Sequence, residues 1–159
     1  MKKNVKRFRA FVALLTLGIV LAVPTIAQKG TTAPKTDSVK VDGFFKKSGI
    51  NYLTGKGIWI VKGGELDHVF AVGEGYLVGF VVLAKKDNIS FTTESLTEML
   101  KFNGDVDSVK IRINDEGHVE MGFDATVRLL DQKEFNILVN QLLAATELAN
   151  KRLQPFFIK

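Results

Sequence analysis

Residues 107–124 read DSVKIRINDEGHVEMGFD, and this stretch decides the fold class. Its apolar side chains alternate with polar ones on both sides of a central turn: Val109, Ile111 and Ile113 before the turn, and Val119, Met121 and Phe123 after it. An alternation with a period of two is typical of a strand with one buried face. The Asn114–Gly117 segment is rich in turn residues, so the stretch predicts a β-hairpin. His118, Glu120 and Asp124 fall on the opposite face, where we expect them to meet water.

Further strands are predicted upstream of this hairpin. Apolar and β-branched segments span residues 50–53, 58–61, 66–72 and 76–84, and glycine-rich turns separate them. The last of these segments is almost continuously apolar, which is the pattern of a central strand covered on both faces. Together with the hairpin, these segments predict an antiparallel sheet.

Three helices complete the pattern. A short helix is predicted over residues 39–47, and a second helix begins near Thr93. The third begins at a capping box formed by Asp131 and Glu134, and it ends before Pro155. The order α-β-β-β(-β)-α-β-β-α predicts an α+β domain, in which helices pack on an antiparallel sheet of about five to six strands.

The last helix carries two apolar stripes. The first runs from Phe135 to Leu153, and we expect it to pack on the sheet. The second consists of Ile137, Ala144 and Leu148, and it either widens the buried face or contacts a partner subunit. These three residues are therefore candidates for an interaction surface.

Aromatic residues supply the other candidates for interaction. Trp59 alternates with the isoleucines on either side of it, so it is either a core side chain or, on an open face, a binding anchor. Phe156 and Phe157 follow Pro155 as an apolar tail. This tail either folds back on the domain or contributes to a dimer.

The net charge of the chain comes from its first 27 residues. This segment holds five of the 22 Lys and Arg residues and no acid, so the remaining 17 bases balance the 17 acids. The formal charge of +5 therefore gives no argument for nucleic-acid binding, and none is predicted. The basic start, the apolar run from Ala10 to Val23 and the small-residue exit at Ala27 predict a cleaved signal peptide. An uncleaved membrane anchor is the alternative.

These features divide the chain into three parts. Residues 1–27 form the leader, residues 28–38 a flexible polar tether, and residues 39–159 a single α+β domain. With either type of leader the domain leaves the cytoplasm, and we expect it in the periplasm or the secreted fraction. Contact with a membrane is expected only if the leader stays uncleaved.

Few residues offer catalytic or metal-binding chemistry. The chain has no cysteine and two histidines, which excludes thiol catalysis and cysteine-zinc sites. His118, Glu120 and Asp124 are the candidates for a small metal-dependent hydrolase, but a metal site needs three or four converging ligands. The Asp67–His68 pair is expected at the surface. We therefore predict no catalytic residue, no metal and no cofactor, and hence no enzyme.

A small-ligand-binding pocket is the alternative to a protein-binding surface. An antiparallel sheet with helices on one face can enclose a cavity, and Trp59, Phe70 and Phe80 are the residues that would surround it. A tightly packed interior would argue against this hypothesis.

The stretch 107–124 resembles the YbjN family and, more widely, the type III secretion chaperone-like fold. The Asp-Glu-Gly turn between two strands, the acidic cap at Asp131 and the long tail helix are typical of that group. The resemblance implies a compact, often dimeric domain that binds other polypeptides or regulates, without chemistry of its own. Secretion chaperones of this fold work in the cytoplasm, whereas the leader predicts export, so only the architecture carries over. The favoured hypothesis is an exported, chaperone-like or regulatory module whose partner is another protein or a second copy.

Overall fold

The computed structural model describes residues 35–158. In chain order the main elements are α1 (Lys35–Ser48), β1 (Tyr52–Gly55), β2 (Ile58–Gly63), β3 (Leu66–Gly73), β4 (Tyr76–Ala84), α2 (Thr93–Asp105), β5 (Lys110–Ile113), β6 (Val119–Thr126) and α3 (Gln132–Leu153). Short 3-10 turns follow β4, β6 and α3. The order is α-β-β-β-β-α-β-β-α, so the predicted α+β class is confirmed.

The six strands form one antiparallel sheet in the order β1-β2-β3-β4-β6-β5. Tight turns join the first four strands. Both central residues of the β1–β2 turn have positive φ, 53° at Lys56 and 77° at Gly57, and the same holds for Glu74 and Gly75 between β3 and β4. Such pairs make type I′ turns, whose twist matches that of the strands. The chain then passes through α2, and β6 rather than β5 pairs with β4.

The helices α1 and α3 pack on one face of this sheet. Phe45 of α1 stacks on Trp59 of β2 with 5.4 Å between ring centroids. The same ring makes edge contacts with Phe70 of β3 at 5.4 Å and with Phe135 of α3 at 4.8 Å. All four rings are buried, so this cluster fixes both helices on the sheet.

Helix α2 belongs to the same helical layer. Thr92 and Ser95 form a reciprocal capping box at its start. Near its end, Arg152 of α3 pairs with Asp105 at 2.7 Å, and the guanidinium lies 5.7 Å from the ring centroid of Phe102. These contacts attach α2 to α3, on the side of the sheet that the other helices occupy.

Helix α1 begins earlier than the sequence predicts. It starts at Lys35, so the last four residues of the predicted tether 28–38 are helical. Asp37 lies in the first turn, where a carboxylate interacts favourably with the helix dipole. The predicted leader, residues 1–27, and the rest of the tether lie outside the described residues. Within residues 35–158, no helix combines the length and the apolar composition needed to cross a bilayer.

The C-terminal tail folds back on the chain that follows β4. Ser90 N donates to Phe156 O at 2.9 Å, and Ile158 N donates to Asn88 O at 2.9 Å. Phe156 and Phe157 are half-buried and pack against the core. The structure therefore places this tail on its own domain, while a contribution of the tail to a dimer stays a prediction.

Candidate protein-interaction site

The face of the sheet opposite the helices is mainly apolar across β1 to β4 and polar across β5 and β6, where Arg112, Glu120 and Asp124 lie. Along β4, Leu77 and Val81 point to the helices and are buried in the core. Val78, Phe80 and Val82 point the other way, are half-buried, and lie outside the core that the sheet shares with the helices. Among residues 35–158, strand β4 therefore has one face covered by helices and one face that no described element covers.

The strand registers join these residues into a continuous surface. Leu53 of β1 is opposite Ile60 of β2, Ile60 is opposite Val69 of β3, and Val69 is opposite Phe80 of β4. A second apolar row lies beside this one on the same side of β2, β3 and β4. We name the whole surface the open sheet face, formed by Leu53, Ile58, Ile60, Val69, Ala71, Val78, Phe80 and Val82. It spans four strands, or about 14 Å at roughly 4.8 Å per strand spacing.

Among the described residues, the centre of the open sheet face is flanked by neighbouring strands. Val69 is only 9% exposed, although it does not belong to the shared core. Ile60 and Phe80 flank it on both sides. Gly122 of β6 continues the row next to Phe80, and a Cβ at this glycine would lie 2.6 Å from Gly79 O. A glycine is therefore needed for β6 to lie this close to β4.

The prediction that the 76–84 strand is covered on both faces is wrong. A strand between two layers and a strand with one open apolar face can have the same composition, so the apolar run does not distinguish them. The number of predicted helices indicates how much of the sheet can be covered. Three helices of about 10 Å diameter cover about 30 Å, which is close to the width of one face of six strands. The three helices of residues 35–158 therefore cover one face, and no other described element covers the second.

Paired charges border one end of the open sheet face. Lys62 Nζ lies 2.6 Å from Asp67 Oδ1, and Arg112 Nε lies 2.6 Å from Glu120 Oε1. Asn114 Nδ2 donates to the second Glu120 oxygen at 3.2 Å. Glu120 is 5% exposed, so the expectation that it meets water is wrong. Arg112 and Asn114 supply the hydrogen bonds that this carboxylate loses when it is removed from water.

The residues proposed for a hydrolytic site do not converge. His118 Nδ1 accepts a hydrogen bond from Lys86 N at 3.2 Å, and its Nε2 lies 3.3 Å from Glu116 Oε2. Both oxygens of Glu120 are occupied by other partners, and Asp124 is exposed further along the strand. In the part of the chain that the structure describes, no three His, Cys, Asp or Glu side chains are grouped to hold a metal ion.

His68 lies in the core, so its predicted surface position is wrong. It is 1% exposed, and its Nε2 is 2.9 Å from Thr146 Oγ1 of α3. The Thr146 hydroxyl donates to Leu142 O at 2.7 Å, so it accepts from the Nε2–H of the imidazole. Burial lowers the pKa of His68 below its ordinary value of 6.5. Asp67, the next residue in the chain, points to the other side of the sheet and pairs with Lys62.

The aromatic residues proposed for a ligand pocket lie on two different faces. Trp59 and Phe70 are in the core, whereas Phe80 is on the open sheet face. The prediction of a cavity lined by all three residues is therefore wrong. Trp59 is also buried, and its Nε1 donates to Asp42 Oδ1 at 3.3 Å. Because the Trp59 side chain is not accessible, the alternative that it is a binding anchor is wrong.

The second apolar stripe of α3 lies on its solvent side. Ile137 and Leu148 are each 40% exposed, and Ala144 is exposed between them. The first stripe, from Phe135 to Leu153, is buried against the sheet. The second stripe therefore does not widen the buried face. We name it the α3 outer stripe.

Solved structures with the same fold are found at low sequence identity. A chain of the ExoU–SpcU heterodimer from the type III secretion system of Pseudomonas aeruginosa matches with a TM-score of 0.57 and 18% identity, over 72% of this chain and 98% of that one. A chain of the complex between the Yersinia pestis type III secretion chaperone SycH and a fragment of YscM2 has a TM-score of 0.53 and 15% identity, over 71% and 98%. YbjN from E. coli has a TM-score of 0.54 and 11% identity, over 79% and 97%.

These comparisons define the fold and leave the function open. No protein-family model and no curated protein matches the sequence significantly. The three structures share at most 18% identity with this chain, and a shared fold hosts many functions. The chain has the YbjN-like, type III secretion chaperone-like fold that the hairpin and the tail helix predict.

Proposed function

We propose that this protein is an exported, non-catalytic module that binds other polypeptides through the open sheet face. The observation that carries the proposal is a continuous apolar surface across four strands, on the side of the sheet opposite α1, α2 and α3. Contiguous apolar surface on a soluble domain marks an interaction site, because its burial by a partner is favourable.

The chemistry of this face suits a polypeptide partner. Its centre is aliphatic and aromatic, with Ile60, Val69 and Phe80 in one row. At one end of this face Lys62 and Asp67 pair with each other, and the carboxylate of Asp124 borders it beside Val78. A polypeptide with an apolar side can cover such a surface, whereas small ligands require a concave site. SycH, which shares the fold, was solved in complex with a fragment of YscM2, which supports this assignment.

Export and the absence of catalysis rest on separate observations. The basic and apolar pattern of residues 1–27 supports export. The dispersal of His68, His118 and Glu120 over the core and the hairpin supports a binding function, since each is occupied by a different structural partner. A catalytic site requires such groups to meet at one substrate.

A comparative capture experiment tests the binding surface. Tagged wild-type protein and an Ile60→Lys/Phe80→Lys variant are incubated with the envelope and secreted fractions, and captured proteins are quantified by mass spectrometry. We expect the variant to lose specific partners by about tenfold or more, because two charges interrupt the apolar row. A Val39→Lys/Leu100→Lys variant is the matched control, since both residues are exposed and apolar but lie on helices. Equal capture by all three proteins would contradict the proposal.

A second copy of the chain is the other candidate partner. The α3 outer stripe supports this possibility, because Ile137 and Leu148 expose apolar surface that the domain itself does not cover. Size-exclusion chromatography with light scattering tests it at micromolar concentration. A dimer that dissociates in a Leu148→Glu variant supports self-association through α3, and a strict monomer contradicts it.

A further inference from the structure

Strand β6 extends beyond the strand that pairs with its outer side. Strand β5 pairs with β6 only over Val119–Gly122. The following residues, from Phe123 to Thr126, pair with β4 alone. Half of β6 therefore has a strand neighbour on one side only.

The backbone direction of this half follows from the contacts of β5. Asn103 of α2 binds Ile111 from outside the sheet: Ile111 N donates to Asn103 Oδ1 at 2.7 Å, and Asn103 Nδ2 donates to Ile111 O at 2.9 Å. The N–H and C=O of Ile111 therefore point away from β6. Its register partner Met121 makes no backbone hydrogen bond to β5. Since the direction alternates along a strand, Asp124 and Thr126 point N–H and C=O to the outer side of β6, where no strand pairs with them and Ser108 lines the groove.

The side chain of Asn103 protects the outer edge of β5 but does not reach the outer edge of β6. Its side-chain amide occupies the outward N–H and C=O of β5, as a neighbouring strand would. No such group is bonded to the outward backbone of Asp124 or Thr126 among the described residues. The protected edge and the unprotected edge lie on the same side of the sheet.

A groove with an apolar floor runs beside the unprotected edge. Leu130 and Leu138 are buried beneath it, and Ala125 of β6 contributes to the same floor. Leu129 stands at its border with 74% of its surface exposed. An extended segment lying against β6 would find backbone partners on one side and apolar contacts below.

The charges at the groove are of one sign. Asp124, Asp131 and Glu134 line it, and no Lys or Arg does. The carboxylates of Asp124 and Glu134 are exposed and make no hydrogen bond or ion pair with the described residues, whereas one oxygen of Asp131 caps Glu134 N at 2.8 Å. A partner segment with positive charge would therefore gain Coulombic attraction here, and an acidic segment would be repelled.

We propose that this groove binds an extended partner segment in which apolar and basic side chains alternate, and that the segment pairs with β6 beyond the end of β5. Its backbone bonds to Asp124 and Thr126, its apolar side chains lie over Leu130 and Leu138, and its basic side chains meet the carboxylates. The inference deepens the proposed function by giving the chemistry of a partner segment. The groove adjoins the open sheet face, since Asp124 lies opposite Val78 in the strand register, and variants placed in each surface distinguish the failure of one proposal from the failure of the other.

Synthetic peptides of about ten residues test the chemistry of the segment. One peptide alternates valine with lysine, a second valine with glutamate, and a third serine with lysine. Calorimetry with the wild-type protein should show binding of the first peptide at least about tenfold tighter than that of the other two. Amide exchange should slow at Asp124 and Thr126 when it binds. Equal binding of the valine–glutamate peptide, or unchanged exchange at these amides, would overturn the inference.

Matched variants locate the binding site. Asp124→Asn/Glu134→Gln should weaken binding of the valine–lysine peptide by about tenfold with little change of shape. Asp87→Asn/Asp115→Asn removes the same charge from exposed positions elsewhere and should leave the affinity unchanged. Circular dichroism confirms that each variant is folded. Equal affinity of both variants would overturn the inference.

Two further outcomes separate the possible occupants. Loss of peptide binding only in the Ile60→Lys/Phe80→Lys variant would place the segment on the open sheet face, overturning this inference and leaving the proposed function intact. A wild-type dimer that Asp124→Asn/Glu134→Gln dissociates without peptide would show that a second copy fills the groove, which also overturns it. Retention of peptide binding by the Ile60→Lys/Phe80→Lys variant supports the groove.

Discussion

Phe70 and Phe80 lie on adjacent strands, β3 and β4, but on opposite faces of the sheet. Phe70 is fully buried and contacts the rings of Phe45 and Phe123, so a helix from a distant part of the chain covers it. Phe80 is half-buried, and its neighbours on its own face, such as Val69, are other strand residues. The difference teaches that an apolar strand residue indicates a face that is stable when covered, but does not tell which molecule covers it.

The largest expected effect is the difference between the two phenylalanines. Phe70→Ala should lower the free energy of unfolding by about 3–5 kcal/mol, because it leaves a cavity between helix and sheet. Phe80→Ala should lower it by about 1 kcal/mol or less, because only cross-strand contacts are lost. Urea denaturation of the two variants measures both values. Similar losses would mean that the two faces are covered alike.

A glycine on the helical face gives the next largest effect. A Cβ at Gly63 would lie 2.3 Å from His68 Cε1 and 3.2 Å from Leu143 Cδ2. Gly63→Ala should therefore lower the free energy of unfolding by about 1–3 kcal/mol through overpacking. Gly73→Ala is the control, since no atom lies within 4 Å of its added Cβ, and it should change stability by less than about 0.5 kcal/mol. Equal effects in thermal or urea unfolding would argue against a tight contact between His68 and α3.

Acid should weaken the helical face through His68. Burial lowers the folded-state pKa of this imidazole below 6.5, so the unfolded chain binds the proton more readily. The stability contributed by neutral His68 is fully present above pH 6.5 and is lost as the pH falls from 6.5 through the folded-state pKa. We expect this change to be smaller than that of Gly63→Ala.

Urea midpoints of unfolding, measured from about pH 7.5 down to about pH 5, test this prediction, because this range brackets the ordinary histidine pKa of about 6.5. His68→Gln should flatten the dependence in this window, because glutamine does not titrate. His118→Gln, on the hairpin, is the matched control and should retain the slope. An unchanged slope in the His68→Gln variant would show that another group controls the acid response.

The smallest expected effect is on the open sheet face. Val78→Thr keeps the shape of the side chain and adds a hydroxyl that water can reach, so stability should change by less than about 0.5 kcal/mol. Val81→Thr on the helical face buries the same hydroxyl and should cost about 1–3 kcal/mol. Chemical denaturation of the two variants compares them directly. A large loss for Val78→Thr would indicate that a further layer covers this face.

Local patterns were sufficient to predict most of the elements. The alternation in residues 107–124 predicts β5 and β6, and the Asp131 cap predicts the start of α3, where Asp131 Oδ1 accepts from Glu134 N. These features depend on residues close in sequence, and their periods of 2 and 3.6 follow from backbone geometry. Helical periodicity also groups Ile137 and Leu148 in one stripe, and the structure decides that this stripe is exposed.

The errors concern residues whose surroundings come from distant segments. Glu120 is buried because Arg112 and Asn114 bind it across the hairpin, and His68 is buried because α3 provides Thr146. The open sheet face was missed because a strand covered by a second layer of its own chain and a strand covered by another molecule can have the same composition. The groove beside β6 was missed because it depends on where β5 ends relative to β6, which is a matter of register.

The sequence alone determined the element types, their order, the turns and the division of side chains into apolar and polar faces, because these depend on dihedral preferences and short-range periodicity. Only the tertiary structure decided which apolar face the helices cover, which polar side chains are buried with a partner, and which part of a strand edge is unpaired. These depend on contacts such as Phe45–Phe70 and His68–Thr146, between residues far apart in the chain. Such contacts form only when the whole sheet and its helices assemble, so no local pattern specifies them.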